Sequence, residues 1–136
     1  MGTPRVLFVC IHNAGRSQIA EALFNAYADG TAVATSAGIE PVKALNIAVV
    51  ASMREAGYDM AGATPKLLTN EMVDQADRVI TMGCMDDPAC PAVLTDEDWG
   101  IADPAGAPMP RVREIRDEIA RKVRTLLREM GIEPVR

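Results

Sequence analysis

Cys10 and Arg16 are separated by Ile11-His12-Asn13-Ala14-Gly15, and Ser17 follows. Before them, Arg5 to Cys10 (R-V-L-F-V-C) is a short apolar run with β-branched and aromatic members, suited to a strand buried on both faces. After them, Ile19, Leu23, Phe24 and Tyr27 recur at helical spacing until Asp29-Gly30. A cysteine at a strand's end and an arginine at a helix's start thus bracket a tight loop. Such a loop points backbone N–H groups inward, the helix amino terminus adds partial positive charge, and a guanidinium can hold a tetrahedral oxyanion by two parallel hydrogen bonds. The same field favours the thiolate form of a cysteine, so Cys10 reads as a nucleophile aimed at an anion held by residues Ile11, His12, Asn13, Ala14, Gly15 and Arg16. The competing view, a buried core thiol beside a solvated arginine, explains neither the glycine before Arg16 nor the hydroxyl after it.

An oxyanion that loses an oxygen to a nucleophile needs a proton on the leaving group. Asp103, ahead of Pro104 on a turn, is the candidate acid, although Asp-Pro is also a common turn initiator. His12, the sole histidine, lies two residues from Cys10 and is expected to shape the loop more than to act as a base. Cys84 and Cys90 sit in or beside G-C-M-D-D-P-A-C-P, a polar loop; their spacing does not match a zinc knuckle, and two thiols on such a loop suggest redox exchange. No metal site is expected.

The elements that must position these groups alternate strand and helix. Thr31 to Ser36 and Arg78 to Met82 read as strands and Leu45 to Ala56 as a helix ended by Gly57. A short helix is expected around Asn70 to Ala76 and a weak fourth strand near Trp99 to Ile101. Val112, Ile115, Ile119, Val123, Leu126 and Met130 mark an amphipathic last helix. The pattern predicts an α/β fold: a single domain over residues 1–136, a parallel sheet flanked by helices on both faces, with functional loops at the carboxyl ends of the strands. A chain of 136 residues can bury roughly two-thirds of its unfolded surface, and its net charge of -5 argues against nucleic acid or an anionic membrane as partner. The longest apolar run, Ile47 to Ala51, is too short for a membrane span, and a cytoplasmic location is expected.

F-V-C-I-H-N-A-G-R-S-Q-I-A-E-A-L, T-S-A-G at Thr35 to Gly38, the two-cysteine loop and D-W-G-I-A-D-P-A-G at Asp98 to Gly106 together resemble the arsenate reductases built on the low-molecular-weight protein tyrosine phosphatase fold. The resemblance implies a four-stranded parallel sheet, arsenate as substrate with phosphate or sulfate as competitors, and a monomer. It makes Cys10 the nucleophile, Arg16 the oxyanion clamp, Ser17 a hydroxyl donor to the thiolate, Asp103 the general acid, and Cys84 and Cys90 the relay thiols. Electrons would come from a reduced thiol partner, thioredoxin by the loop's pattern, with glutaredoxin or mycothiol systems as alternatives, and no cofactor would be bound. Some members hold potassium with residues matching Asn13, Glu21 and Ser36 plus an aspartate; here Lys66 stands at the aspartate's place, and its ammonium is expected to replace the ion. Two other functions stay open: a tyrosine phosphatase of the same fold, disfavoured by Ala105-Gly106 where an aromatic pair would flank a substrate ring, and a non-catalytic oxyanion or redox sensor.

Overall fold

The computed structural model describes residues 2–83 and 96–136; Cys84 and Cys90 lie outside them. The described elements are β1 (Arg5–Cys10), α1 (Arg16–Ala28), β2 (Val33–Gly38), α2 (Ile47–Glu55), α3 (Asn70–Gln75), β3 (Arg78–Thr81), β4 (Glu97–Asp98) and α4 (Met109–Glu129). The four strands form one parallel sheet in the order β2-β1-β3-β4.

Strand alternation divides the core between the two faces of this sheet. Val6, Phe8 and Cys10 of β1 face the larger cluster, where α1, α2 and α4 pack, while Leu7 and Val9 join Ala37 and Val79 under α3. The larger face is sealed by Ile19, Leu23 and Phe24 of α1 against Val112, Ile115, Ile119, Val123, Leu126 and Leu127 of α4, all essentially buried. Phe8 lies at its centre, edge-on to Phe24 and 5.4 Å from Trp99 between ring centroids. Fully burying one such side chain contributes ~1.5–3 kcal/mol, so β1, α1 and α4 are firmly anchored.

Three strands differ from the sequence expectation, the third only in ending at Thr81 instead of Met82. The fourth is Glu97–Asp98, not Trp99 to Ile101. Its exposed side chains carry no hydrophobic signal, and pairing rests on its backbone and on Asp98, whose Oδ1 accepts from Thr81 Oγ1 at 2.6 Å and from the Gly83 N–H at 3.0 Å. Gly100, at φ 61, then bends the chain so that Trp99 and Ile101 enter the core. The second strand runs Val33–Gly38, two residues later than expected, because Thr31 belongs to the turn and donates its hydroxyl to the Ala28 carbonyl.

Candidate active site

The sheet order sets the carboxyl ends of β1, β3 and β4 side by side, and the candidate residues gather at that edge. The loop leaving β1 turns at Asn13, which is fully buried and holds the left-handed conformation (φ 52) that asparagine tolerates better than most residues. Its backbone N–H donates to Cys10 Sγ at 3.3 Å. Its side chain is saturated: Nδ2 donates to Ser17 Oγ at 2.7 Å and Ser36 Oγ at 3.0 Å, and Oδ1 accepts from Lys66 N at 2.8 Å and Gln18 Nε2 at 3.0 Å. Ser17 Oγ lies 2.8 Å from Cys10 Sγ. Either atom of that pair can donate; were Cys10 a thiolate, the Ser17 hydroxyl and the Asn13 N–H would both donate to the sulfur.

Arg16 is 5% exposed. Its NH1 donates to the carbonyls of Met82 at 2.9 Å and Ile101 at 3.0 Å, which fixes the guanidinium and leaves Nε and NH2 for a ligand. NH2 stands 3.9 Å from Asp103 Oδ2, longer than a hydrogen bond, so Asp103 lies beside the clamp without filling it. The other carboxylate oxygen accepts from the Ala105 N–H at 2.9 Å and holds the turn. Gly15 is what lets this turn dock: a Cβ there would come within 3.0 Å of Pro104 Cγ. Gly38 serves the other side, where a Cβ would meet the Ile11 carbonyl at 2.7 Å and the Asn13 nitrogen at 2.9 Å.

Cys10, His12, Ala14, Gly15, Arg16, Asn46, Asp103, Pro104 and Ala105 enclose a cavity of about 40 Å³. A larger cavity of about 430 Å³, lined by Tyr27, Tyr58, Arg116 and Arg124 among others, shares none of these residues. His12 is turned to the loop's framework, with Nδ1 3.0 Å from the Glu40 carbonyl; because a carbonyl only accepts, that nitrogen carries the hydrogen. The structure therefore brings Cys10, the whole loop from Ile11 to Arg16, Ser17 and Asp103 to one place.

The residues matching the cation site also meet. Ser36 Oγ donates to Glu21 Oε1 at 2.8 Å, and Lys66 Nζ lies 3.4 Å from the same oxygen. They do not fit a potassium ion: Asn13 Oδ1 is taken by two N–H donors, and the carboxylate already faces an ammonium. Among the described residues, no group of three or more His, Cys, Asp or Glu is arranged to hold a metal.

The sequence reading missed Gln18, Asn46 and the two carbonyls that hold Arg16. Asn46 caps α2, accepting from Ala48 N at 2.9 Å and Val49 N at 3.3 Å, while its own N–H donates to the Ala14 carbonyl at 2.9 Å, so it fastens α2 to the anion loop. An asparagine just before the apolar run starting at Ile47 is a legible cap signal. Backbone carbonyls carry no sequence signal.

The family model for low molecular weight phosphotyrosine protein phosphatases matches residues 5–135. The chain belongs to that family. An arsenate reductase of Brevibacillus brevis is 33% identical over 122 residues, 88% of this chain and 90% of its own length. An arsenate reductase solved in its phosphate-binding state superposes with a TM-score of 0.81 at 31% identity, covering 93% of this chain and 98% of that one. The thioredoxin-dependent arsenate reductase of Corynebacterium glutamicum gives 0.77 at 37% identity over 94% of this chain, which spans only 62% of that longer protein. The fold is that of the family, with the cysteine-to-arginine loop at the carboxyl edge of its sheet.

Proposed function

We propose that this chain reduces arsenate to arsenite. The observation that carries the reading is the loop itself. Cys10 Sγ lies 2.8 Å from the Ser17 hydroxyl and accepts from the Asn13 N–H, the clamp Arg16 is locked on two carbonyls, and Asp103 stands 3.9 Å from it, all around one small cavity. In the first step the Cys10 thiolate attacks arsenic, Arg16 takes up charge on the equatorial oxygens, and Asp103 protonates the departing oxygen, which leaves as water. Cys84 then attacks the Cys10 sulfur, the S–As electron pair goes to arsenic, and arsenite leaves behind a Cys10–Cys84 disulfide. Attack by Cys90 on Cys84 frees the Cys10 thiolate and moves the oxidation to Cys84–Cys90, which a reduced thiol partner returns to two thiols. No bound cofactor enters this scheme.

The relay draws support from the residue ahead of Cys84. Gly83 stands beside the clamp, where an added Cβ would come 3.1 Å from Arg16 NH1 and 2.7 Å from the Ile101 carbonyl, so the residue before the second cysteine is next to the Arg16 guanidinium. The thioredoxin dependence of the Corynebacterium relative supports thioredoxin as reductant. The same loop and acid suffice to hydrolyse a phosphate ester through a phosphocysteine, which makes slow phosphatase activity a side reaction of this site. The test is arsenate turnover with thioredoxin and its reductase, then with glutaredoxin and mycothiol systems, on the unaltered chain and on single-cysteine variants.

A further inference from the structure

We infer that Gln18, acting with the backbone of Thr64 to Lys66, is a positioning residue: it fixes which way the Asn13 amide faces and so holds the Ser17 hydroxyl on the Cys10 sulfur. The inference rests on Cys10 being a thiolate nucleophile and not on which anion it attacks. Gln18 lies in the first turn of α1, is 1% exposed, and does not line the active cavity.

A buried amide has two unlike ends, and its neighbours choose between them. The Thr64 carbonyl can only accept and the Lys66 N–H can only donate. The Gln18 side-chain atom 3.1 Å from the Thr64 carbonyl must therefore be nitrogen, and its second hydrogen goes to Asn13 at 3.0 Å. The Asn13 atom facing it must then be oxygen, which the Lys66 N–H at 2.8 Å demands independently. Asn13 Nδ2 is thereby turned to Ser17 and Ser36 as a double donor. Ser36 passes its hydrogen to Glu21, and Ser17, facing a Cys10 thiolate that can only accept, passes its own to the sulfur, each over 2.8 Å.

With the Asn13 amide reversed, its oxygen would face Ser17 and compete with the sulfur for the hydroxyl hydrogen. The two donors that forbid the reversal are Lys66 N and Gln18 Nε2, and only the second belongs to a side chain. Because Asn13, Ser17, Gln18 and Ser36 are buried, a mismatched end among them costs more than a satisfied one contributes. The segment that starts the chain of donors is itself held to β2, Gly38 N donating to the Lys66 carbonyl at 2.8 Å and Leu68 N to the Gly38 carbonyl at 2.9 Å.

The test is the pH profile of Cys10 alkylation by iodoacetamide, read by peptide mass spectrometry so that Cys84 and Cys90 are scored apart. The full chain is compared with Gln18→Met, which keeps the side chain's length, with Gln18→Glu, and with Ser17→Ala. Arg16, His12 and Asp103 share the Cys10 cavity, and Glu21 and Lys66 lie at the far end of the network; these variants alter none of them. Gln18→Met should move the midpoint to higher pH, in the same direction as Ser17→Ala, lowering the rate on the acid side about tenfold while leaving the alkaline plateau intact. Gln18→Glu, which sets a carboxylate against two oxygens, should move it further. A merely structural Gln18 would lower the melting temperature and leave the midpoint in place; that result, with Ser17→Ala shifted, overturns the inference. If Ser17→Ala leaves the midpoint unmoved too, the thiolate reading beneath it fails. Should both Gln18 variants unfold, nuclear Overhauser contacts in the unaltered chain decide. The Asn13 Nδ2 hydrogens must contact Ser17 and Ser36, and contacts to the Lys66 N–H in their place refute the lock.

Discussion

Arg16→Lys is the sharpest test of the active-site geometry. The arginine divides its donors between two tasks: NH1 binds the Met82 and Ile101 carbonyls at 2.9 and 3.0 Å, and Nε with NH2 remains for the oxyanion. A lysine brings one ammonium at the end of a flexible stem, which cannot stay on both carbonyls and also grip two oxygens. If the ammonium follows the anion, two buried carbonyls lose their partner, at ~1–3 kcal/mol for a stranded group. If it stays on the carbonyls, the oxyanion loses its fork, and loss of one preorganised donor costs ~100- to 1,000-fold in rate, or ~2.7–4 kcal/mol. The expected outcome is a fall in turnover of at least ~100-fold for both arsenate and an aryl phosphate. It should be joined by weaker phosphate inhibition and a lower melting temperature. Steady-state kinetics on both substrates, with thermal unfolding as control for folding, measures all of this. Turnover within a few-fold of the unaltered chain would refute the assignment of Nε and NH2 to the anion.

Cys10→Ser should abolish turnover of both substrates, whereas Cys84→Ser and Cys90→Ser should stop arsenate reduction and leave slow aryl phosphate hydrolysis; full thioredoxin-driven activity of Cys90→Ser would overturn the relay. Activity and melting temperature should be the same in potassium, sodium and choline buffers, because Lys66 Nζ already faces Glu21 at 3.4 Å, and a marked rise of activity on adding potassium would refute this. Lys66→Ala should raise KM for arsenate or lower stability, by no more than ~1 kcal/mol since the pair is partly exposed. Tyr27 is pushed up to about 12, first by burial, then by its hydrogen bond and charge interaction with Tyr58, against the pull of Arg124 and Arg136. The unfolded chain releases that proton near pH ~10 and the folded chain holds it, so stability is intact below ~10 and falls as pH climbs toward the folded value. Tyrosinate absorbance should show a late step, or one seen only on unfolding, and Tyr27→Phe should remove it.

The anion loop was legible because its chemistry is written in side chains at fixed spacing. Cys10, Arg16 and Ser17 keep their relative places once β1 and α1 form, and both elements announce themselves, one by a continuous apolar run and the other by helical periodicity. Asp103 was legible only as a residue type before proline; what brings it to the loop is Gly15 receiving Pro104, a contact 89 residues apart that no local pattern encodes. The fourth strand was misplaced for a physical reason. An edge strand of two residues is defined by backbone pairing, so Glu97 and Asp98 carry no hydrophobic mark, while Trp99 and Ile101 look like a strand because the core takes them. Gln18 stayed invisible because a glutamine in the first turn of a helix usually faces water, and only the fold shows that this one faces the Thr64 carbonyl.

The clamp and the scaffold are one structure, and this bears on how the site can vary. Arg16 begins α1, Met82 follows β3, and Ile101 follows the turn after β4, so a single guanidinium ties three carboxyl ends of the sheet together. A loop that merely bound an anion could leave its arginine free to swing in with the ligand. Here NH1 is committed before any ligand arrives, which removes the entropy cost of ordering a long side chain at the moment of binding. The same commitment means that the strength of oxyanion binding depends on the chain around Met82 and Gly83, immediately ahead of Cys84 in sequence.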